Sequence, residues 1–174
     1  MQVREIMSKP AVCCQEDDML HIAAQLMWEC DCGAIPVVNQ EGTLTGIVTD
    51  RDICMATYTQ GRAPQLIRAG DVMATVVYSC HEDDSVETAE QLMAERQVRR
   101  IPVVDDQIRP VGLLSINDVA RHAAAAANRT RESEEKAVAQ TMAAISQPRV
   151  EHAESTARAT PNGTSSGGPR AAIH

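Results

Sequence analysis

The feature that most constrains the fold of this chain is an internal repeat with a fixed separation of 66 residues. The segment Ile-Pro-Val-Val occurs at residues 35–38 and again at residues 101–104. Without any gap, about 16 of roughly 54 aligned positions are identical between residues 3–56 and residues 69–122. The chain is therefore predicted to contain two copies of one structural unit.

Each copy has the pattern strand–helix–strand–strand–helix. In the first copy, an extended stretch at 11–14 precedes a helix over about residues 19–30, whose apolar side chains recur at helical spacing. The β-branched run at 35–38 and a strand at 44–48 are joined by a turn containing Gly42 and predict a hairpin. A single copy has too little surface to bury a stable core. The predicted fold class is therefore α+β, with the two copies packed sheet to sheet.

Acidic residues mark the predicted starts of the first helix in each copy. Asp84, followed three residues later by Glu87, is the signature of a capping box. In the first copy Asp18 is the predicted cap, and His21 stands in place of the glutamate. Cys30 is expected on the apolar face of its helix, where a thiol usually packs.

Five segments are predicted along the chain. The first copy spans residues 1–58 and the second spans residues 69–125, with a connector at 59–68. The alanine-rich stretch after the second copy predicts a helical extension at 126–146. Residues 147–174 are rich in Gly, Ser and Pro, which cannot build a core, so a disordered tail is expected there.

The composition limits the classes of function. The net charge is −8, and a negative field repels nucleic acid and anionic lipid. The only aromatic residues are Trp28, Tyr58 and Tyr78, so no base-stacking platform is predicted. No segment reaches the roughly 20 apolar residues that span a bilayer. We expect a cytoplasmic protein that contacts neither nucleic acid nor membrane, with its six cysteines mostly reduced.

The repeated segments resemble a known family. Glu-Ile-Met at 5–7 returns as Asp-Val-Met at 71–73, beside the two Ile-Pro-Val-Val strands. The pattern Gly-h-h-[Ser/Thr]-x-x-Asp, with h apolar, occurs at 46–52 and at 112–118. Together these motifs resemble the paired CBS domain, or Bateman module, of short stand-alone bacterial signalling proteins. The resemblance covers roughly residues 3–122.

This resemblance implies a pseudo-twofold module with two clefts between its sheets. Such modules commonly bind AMP, ADP, ATP, NAD or S-adenosylmethionine, and commonly form homodimers. In the family, the last Asp of the Gly-h-h-[Ser/Thr]-x-x-Asp segment holds the ribose hydroxyls, which carries over to Asp52 and Asp118. The hydroxyl near ribose or phosphate carries over to Thr49 and Ser115. No obligatory cofactor is implied.

The chemistry of these residues suits an adenosine ligand. A carboxylate can accept hydrogen bonds from both vicinal ribose hydroxyls, and a phosphate can bind backbone N–H groups at a helix start. Adenine can lie against aliphatic walls, and Arg99 and Arg100 stand where the family often places basic residues. The same Thr/Ser-x-x-Asp pattern is also an ordinary helix cap, and the two roles are compatible. The predicted ligand-binding residues are Thr49, Asp52, Ile35, Pro36, Arg99, Arg100, Ile101, Pro102, Ser115, Asn117 and Asp118.

The two copies differ beside this pattern. The first copy has Gly33 and Ala34 where the second has Arg99 and Arg100. We therefore expect the second site, around Asp118, to bind a charged nucleotide better than the first.

Two other functions remain open, and no catalysis is predicted. Cys30 and Cys32 form a Cys-x-Cys pair that is a candidate for a redox or metal sensor on the same scaffold, although finger-type Cys-x-x-Cys spacing is missing. A ligand-free dimerisation module is the other alternative. The sequence contains no nucleophile–base arrangement and no phosphate-binding loop. An adenosine-responsive module would relay its state to an effector protein that the sequence does not identify.

Overall fold

The structure is a computed structural model that describes residues 1–126 and 131–145. It confirms the α+β class, because the order strand–helix–strand–strand–helix occurs twice and each copy carries one three-stranded sheet. The predicted tail at 147–174 lies outside the described residues, as do residues 127–130 and 146 of the predicted extension. None of the helices in the described part of the chain is long and apolar enough to cross a membrane.

The first copy forms a sheet covered by two helices. Its elements are β1 (Cys14–Gln15), α1 (Leu20–Glu29), β2 (Ala34–Val38), β3 (Leu44–Thr49) and α2 (Asp50–Gln60). The strand order is β1-β2-β3, with β1 parallel to β2 and β2 antiparallel to β3. The predicted hairpin is confirmed, and α2 follows β3 without an intervening loop.

The second copy repeats this arrangement and is followed by one further helix. Its elements are β4 (Cys80–His81), α3 (Val86–Arg96), β5 (Arg100–Val104), β6 (Pro110–Ser115) and α4 (Ile116–Ala126), followed by α5 (Arg131–Ile145). The strand order β4-β5-β6 has the same parallel and antiparallel pairings as the first sheet.

The predicted capping box at the start of α3 is wrong. Ser85 is the N-cap, and its Oγ accepts a hydrogen bond from Thr88 N at 3.1 Å. Asp84 lies one residue earlier, and its carboxylate accepts from His81 N at 2.7 Å, so it closes the preceding turn. The helix begins one residue later than predicted, so Thr88 and not Glu87 is the third residue after the N-cap, and the predicted box does not form.

In the first copy an aspartate likewise closes the turn before the helix and does not cap the helix. Asp18 accepts a hydrogen bond from Gln15 N at 2.7 Å, and α1 begins after Met19 with no side-chain cap. Cys30 is exposed and does not pack on the apolar face as expected, because α1 ends at Glu29 and Cys30 is its C-cap, outside the regular helix.

The first residues of each copy lie on the sheet of the other copy. Ser8 pairs with Leu113 of β6, and Ala74 pairs with Ile47 of β3, both as antiparallel bridges. The start of the first copy thus completes the second, and the start of the second completes the first. This exchange couples the two halves through backbone hydrogen bonds.

Two glycines accept methionine side chains from the exchanged segments. A Cβ on Gly112 would lie 2.7 Å from Met7 Sδ, and a Cβ on Gly46 would lie 2.7 Å from Met73 Cγ. Neither strand can carry a larger side chain at this position without moving the methionine. The repeated Gly–Met pairs therefore fix how closely each exchanged segment approaches its sheet.

The apolar side chains form two cores, one in each copy. The first contains Leu20, Ile35 and Val48, and the second contains Met93 and Ile101, among others. Helix α5 packs on α3 and α4 and contributes its buried Ile145 to the second core. The described chain thus adds a third helix to the second copy and none to the first.

Candidate functional site

The Thr49–Asp52 cap is formed where β3 runs directly into α2. Thr49 has extended backbone angles and is the N-cap, so its Oγ1 accepts a hydrogen bond from Asp52 N at 3.2 Å. The Asp52 carboxylate returns the interaction: its Oδ2 accepts from Thr49 N at 2.9 Å and from Thr49 Oγ1 at 2.7 Å. The cap satisfies backbone N–H groups that the first helical turn leaves without partners.

The Ser115–Asp118 cap at the junction of β6 and α4 has the same geometry. Asp118 Oδ2 accepts from Ser115 N at 2.8 Å and from Ser115 Oγ at 2.5 Å. Asp118 N donates to Ser115 Oγ at 3.2 Å. The repeat therefore places two hydrogen-bonded Ser/Thr–Asp pairs at corresponding helix starts.

The two carboxylates differ at their second oxygen. Asp118 is 7% exposed, and its Oδ1 forms an ion pair with Arg121. Asp52 is half-buried, and among the side chains of residues 1–123 and 138–145 and the described backbone, no group donates a hydrogen bond to its Oδ1. A ligand hydroxyl therefore finds an available acceptor at Asp52, whereas at Asp118 it must compete with a guanidinium.

The Arg100 guanidinium reaches the first copy. Its Nη2 lies 3.0 Å from the position that a Cβ on Gly33 would occupy, and Asp50 Oδ2 lies 2.8 Å from the same position. Gly33 O in turn accepts from Asp50 N at 3.3 Å, at the start of α2. The sequence pattern groups this arginine with Ser115 and Asp118. Its backbone pairs with Ser115, but its charge lies beside the first cap.

The remaining predicted ligand residues are not equally accessible. Ile35, Pro36, Ile101 and Pro102 are fully buried, each with less than 2% of its side chain exposed. Their side chains belong to the packed interior, so the surface they offer a ligand is small, and contact with adenine stays a prediction. Arg99 and Asn117 are exposed and lie next to the second cap.

Burial makes three of the cysteine thiols weaker acids than an exposed cysteine. Loss of hydration raises the pKa of Cys13 to about 11 and those of Cys14 and Cys80 to about 12. Nearby Asp18 and Asp84 carboxylates add to the effect on the two buried thiols. These thiols are protonated at neutral pH and therefore poor nucleophiles and metal ligands.

The candidate Cys-x-Cys pair stands in a different environment. Cys30 is exposed, whereas Cys32 is half-buried and its thiol donates to Ala34 O at 3.5 Å. Partial burial raises the pKa of Cys32. Among the side chains of residues 1–123 and 138–145, no three His, Cys, Asp or Glu groups come close enough to form a metal site.

Sequence reasoning missed three residues that shape the two caps. Gly33 provides the space for the guanidinium, Asp50 approaches that space from the start of α2, and Arg121 occupies the second oxygen of Asp118. The signal for Arg121 was present, because an arginine three residues after an aspartate on a helix lies on the same face. The place of Gly33 depends on a contact between the copies, which local sequence does not encode.

Comparison with known proteins identifies the repeated unit. The family model described as CBS domain matches residues 3–58 and 69–125. Hypoxic response protein 1 of Mycobacterium tuberculosis is 36% identical over 119 residues, which cover 68% of this chain and 82% of the relative. The CBS domain-containing protein YhcV of Bacillus subtilis is 41% identical over 118 residues, with the same two coverages, 68% and 82%.

Solved structures share the fold. The crystal structure of Hypoxic Response Protein I with two coordinated zinc ions superposes with a TM-score of 0.63 at 35% identity, covering 70% of this chain and 98% of the other. The CBS domain pair of protein MJ0100, in complex with 5′-methylthioadenosine and S-adenosyl-L-methionine, gives 0.64 at 27% identity, with coverages of 72% and 97%. The motif repeat, the two sheets of matching topology and these matches agree: the chain belongs to the CBS-domain family and forms a CBS domain pair.

Proposed function

We propose that this chain is a regulatory module that binds an adenosine nucleotide at its two helix caps, with AMP the simplest probe of the class. The proposal rests on the first cap, where the available Oδ1 of Asp52 and the Arg100 guanidinium lie in the same part of the molecule. Binding, without catalysis, would favour one relative packing of the two copies, and an effector protein would read the change.

The ribose would be held by the cap carboxylates. Two vicinal hydroxyls are donors, and Asp52 Oδ1 is an acceptor that the cap leaves unused. Hydrogen bonds to an ionised carboxylate are short and about twice as strong as neutral ones. Because Oδ2 is fixed by Thr49, the acceptor is already oriented before the ligand arrives.

The phosphate would contact Arg100. This arginine is half-buried, and its guanidinium reaches the space over Gly33, where the Asp50 carboxylate would have to move away from an incoming anion. The N–H groups of Asp50, Arg51 and Asp52 in the first turn of α2 already have partners, so the phosphate contact would come from the guanidinium. This placement differs from the expectation that the second site binds the charged nucleotide better.

The related CBS pair supports the adenosine part of the proposal. The MJ0100 pair is described in complex with 5′-methylthioadenosine and S-adenosyl-L-methionine, which share adenosine and differ in charge. This pair of ligands therefore supports recognition of the adenosine half and does not bear on the phosphate contact. AMP, ADP, ATP and NAD carry phosphates attached to the same adenosine half. The contact with these phosphates would therefore determine which of the four ligands binds best.

The experiment compares AMP with adenosine on the full chain. Arg100→Ala is expected to weaken AMP binding about tenfold while leaving adenosine binding unchanged, since about 1.4 kcal/mol of charge-assisted bonding corresponds to that factor. Arg99→Ala removes the same charge one residue away and serves as the control. If Arg99→Ala weakened AMP binding and Arg100→Ala did not, the assignment of the phosphate contact to Arg100 would be contradicted.

A thiol or metal sensor is the second candidate, because the related Hypoxic Response Protein I structure contains two zinc ions. Metal analysis of the purified chain with a count of free thiols separates it from a nucleotide sensor. A ligand-free dimerisation module would show no rise in Tm with AMP, ADP, ATP, NAD or S-adenosylmethionine, whereas a ligand that binds only the folded state raises it.

A further inference from the structure

The carboxylate of Asp50, the first residue of α2, faces the place proposed for the phosphate. Its Oδ2 lies 2.8 Å from the position that a Cβ on Gly33 would occupy, and Arg100 Nη2 lies 3.0 Å from the same position. The Gly33 backbone beneath this position is buried. A carboxylate of the first copy and a guanidinium of the second therefore share one small space.

Two hydrogen bonds hold Asp50 at the edge of this space. Its Oδ1 accepts from Arg51 N at 2.7 Å, which leaves Oδ2 directed at the space over Gly33. Its backbone N–H donates to Gly33 O at 3.3 Å. The side chain is exposed, so solvent weakens the field of the carboxylate without abolishing it.

The repeat shows that the helix start does not need this carboxylate. The counterpart of Asp50 in the second copy is Ile116, a buried residue of the second core. The Ser115–Asp118 cap beside Ile116 nevertheless has the same hydrogen bonds as the Thr49–Asp52 cap. An acidic residue at this position is therefore not required for capping, and it distinguishes the first site from the second.

The effect of Asp50 on a ligand depends on the charge of that ligand. A carboxylate and a guanidinium that face the same space act on a charged group in opposite directions, each in proportion to its charge. Asp50 thus opposes the attraction of Arg100 for a phosphate, and the opposition grows from AMP to ATP. It leaves uncharged adenosine unaffected, and it attracts the sulfonium group of S-adenosylmethionine.

We propose that Asp50 is a specificity-determining residue of the first site, which selects among adenosine ligands by the charge of the group attached at the 5′ position. It lowers the affinity for each added phosphate and raises the affinity for a cationic group. This role rests on the proposed function, and it names the residue that sets the choice of ligand. The second site has Ile116 at this place and lacks the selection.

The test is calorimetric titration of adenosine, AMP, ATP and S-adenosylmethionine into the full chain and into Asp50→Asn. Asparagine keeps the size of the side chain and an oxygen that can accept from Arg51 N. We expect Asp50→Asn to bind AMP about threefold and ATP about tenfold more tightly, which is the range for a charge pair in contact with solvent. Adenosine binding should stay within about twofold, and S-adenosylmethionine should bind about threefold more weakly.

Glu41→Gln is the matched control. It removes the same unit of negative charge from an exposed residue in the hairpin turn at the opposite end of β2. Each of the four affinities should therefore change by less than about twofold. An equal gain in ATP affinity in Glu41→Gln and Asp50→Asn would overturn the proposal, because it would trace the selection to the net charge of the chain.

Two further results separate this proposal from the function on which it rests. If the wild type binds AMP and Asp50→Asn changes all four affinities by one common factor, or none of them, the role of Asp50 is wrong while recognition of the nucleotide stands. If neither protein binds any of the four ligands, the proposed function is wrong and the role of Asp50 is overturned with it.

Discussion

At the scale of single residues, the Asp52 carboxylate serves two purposes with its two oxygens. Oδ2 stabilises the start of α2 through Thr49, and Oδ1 remains available to a ligand. Asp118 uses Oδ2 in the same way but shares Oδ1 with Arg121. A substitution at either aspartate therefore changes stability as well as binding, and the two effects need separate measurements.

The stability effect is predicted for Asp118→Ala. The substitution removes the acceptor for Ser115 N and Oγ, so the free energy of unfolding should fall by about 1–2 kcal/mol. Urea unfolding measures this fall, and Asn117→Ala at the exposed neighbouring position is the control. Equal stability of the two variants would show that the cap contributes nothing.

A second prediction at this scale concerns pH. Burial raises the pKa of Cys14 and Cys80 to about 12, above the usual value of 9.0. In the unfolded chain these thiols lose protons near pH 9, while in the folded chain they keep them. Above pH 9 the unfolded state then binds fewer protons than the folded state. The stability that these thiols contribute is therefore fully present below pH 9 and is lost as the pH rises towards 12.

The size of this fall is at most about 1.4 kcal/mol per pH unit for each thiol. Urea unfolding at pH 8 and pH 10 measures it, and a Cys14→Ala/Cys80→Ala variant supplies the reference. The variant should lose less stability than the wild type between these two values. A loss of stability of the same size in both proteins would show that other groups cause it.

At the scale of elements, the strands and helices follow from local sequence more completely than the contacts between them. The Ile-Pro-Val-Val runs predict β2 and β5, and the repeat transfers each element to the other copy. The helix caps at Thr49 and Ser115 also follow from their local pattern. The position of the Arg100 guanidinium and the exchange of the N-terminal segments arise from packing between distant parts of the chain. Sequence periodicity carries no information on such contacts.

Helix α5 gives the prediction at this scale. Ile145 is 8% exposed in the second core, whereas Met142 on the same helix is 47% exposed. Ile145→Ala should lower the free energy of unfolding by about 2 kcal/mol or more, because it removes buried methyl groups and leaves a cavity. Met142→Ala should change it by less than about 0.5 kcal/mol. Urea unfolding of the two variants tests whether α5 stabilises the second copy.

At the scale of the whole molecule, the exchanged segments make the two copies interdependent. Each sheet receives a methionine from the first residues of the other copy, Met73 at Gly46 and Met7 at Gly112. Neither copy is complete alone, so we expect the pair to unfold as one cooperative unit. Under the proposed function, such coupling would let a ligand at one cap alter the packing of the other copy.

The Gly46–Met73 contact provides the prediction at this scale. In Gly46→Ala the new Cβ would lie 2.7 Å from Met73 Cγ, so the exchanged segment must shift, at a cost of about 1–3 kcal/mol. Met73→Ala removes Cγ and leaves only a 3.0 Å contact with Cβ. The double variant should therefore lose less stability than the sum of the two single variants, as measured by urea unfolding. Strict additivity would mean that the two side chains do not interact.

The most direct test of the central claim is calorimetric titration of AMP into the full chain and its cap variants. The wild type should bind, and Asp52→Ala should weaken binding roughly 10- to 100-fold, since hydrogen bonds to charged groups contribute about 1.5–3 kcal/mol. Ser85→Ala removes the N-cap of α3, a comparable loss outside the two caps, and should bind like the wild type. Failure of the wild type to bind AMP, or unchanged binding in both Asp52→Ala and Asp118→Ala, would contradict recognition of the nucleotide at the caps.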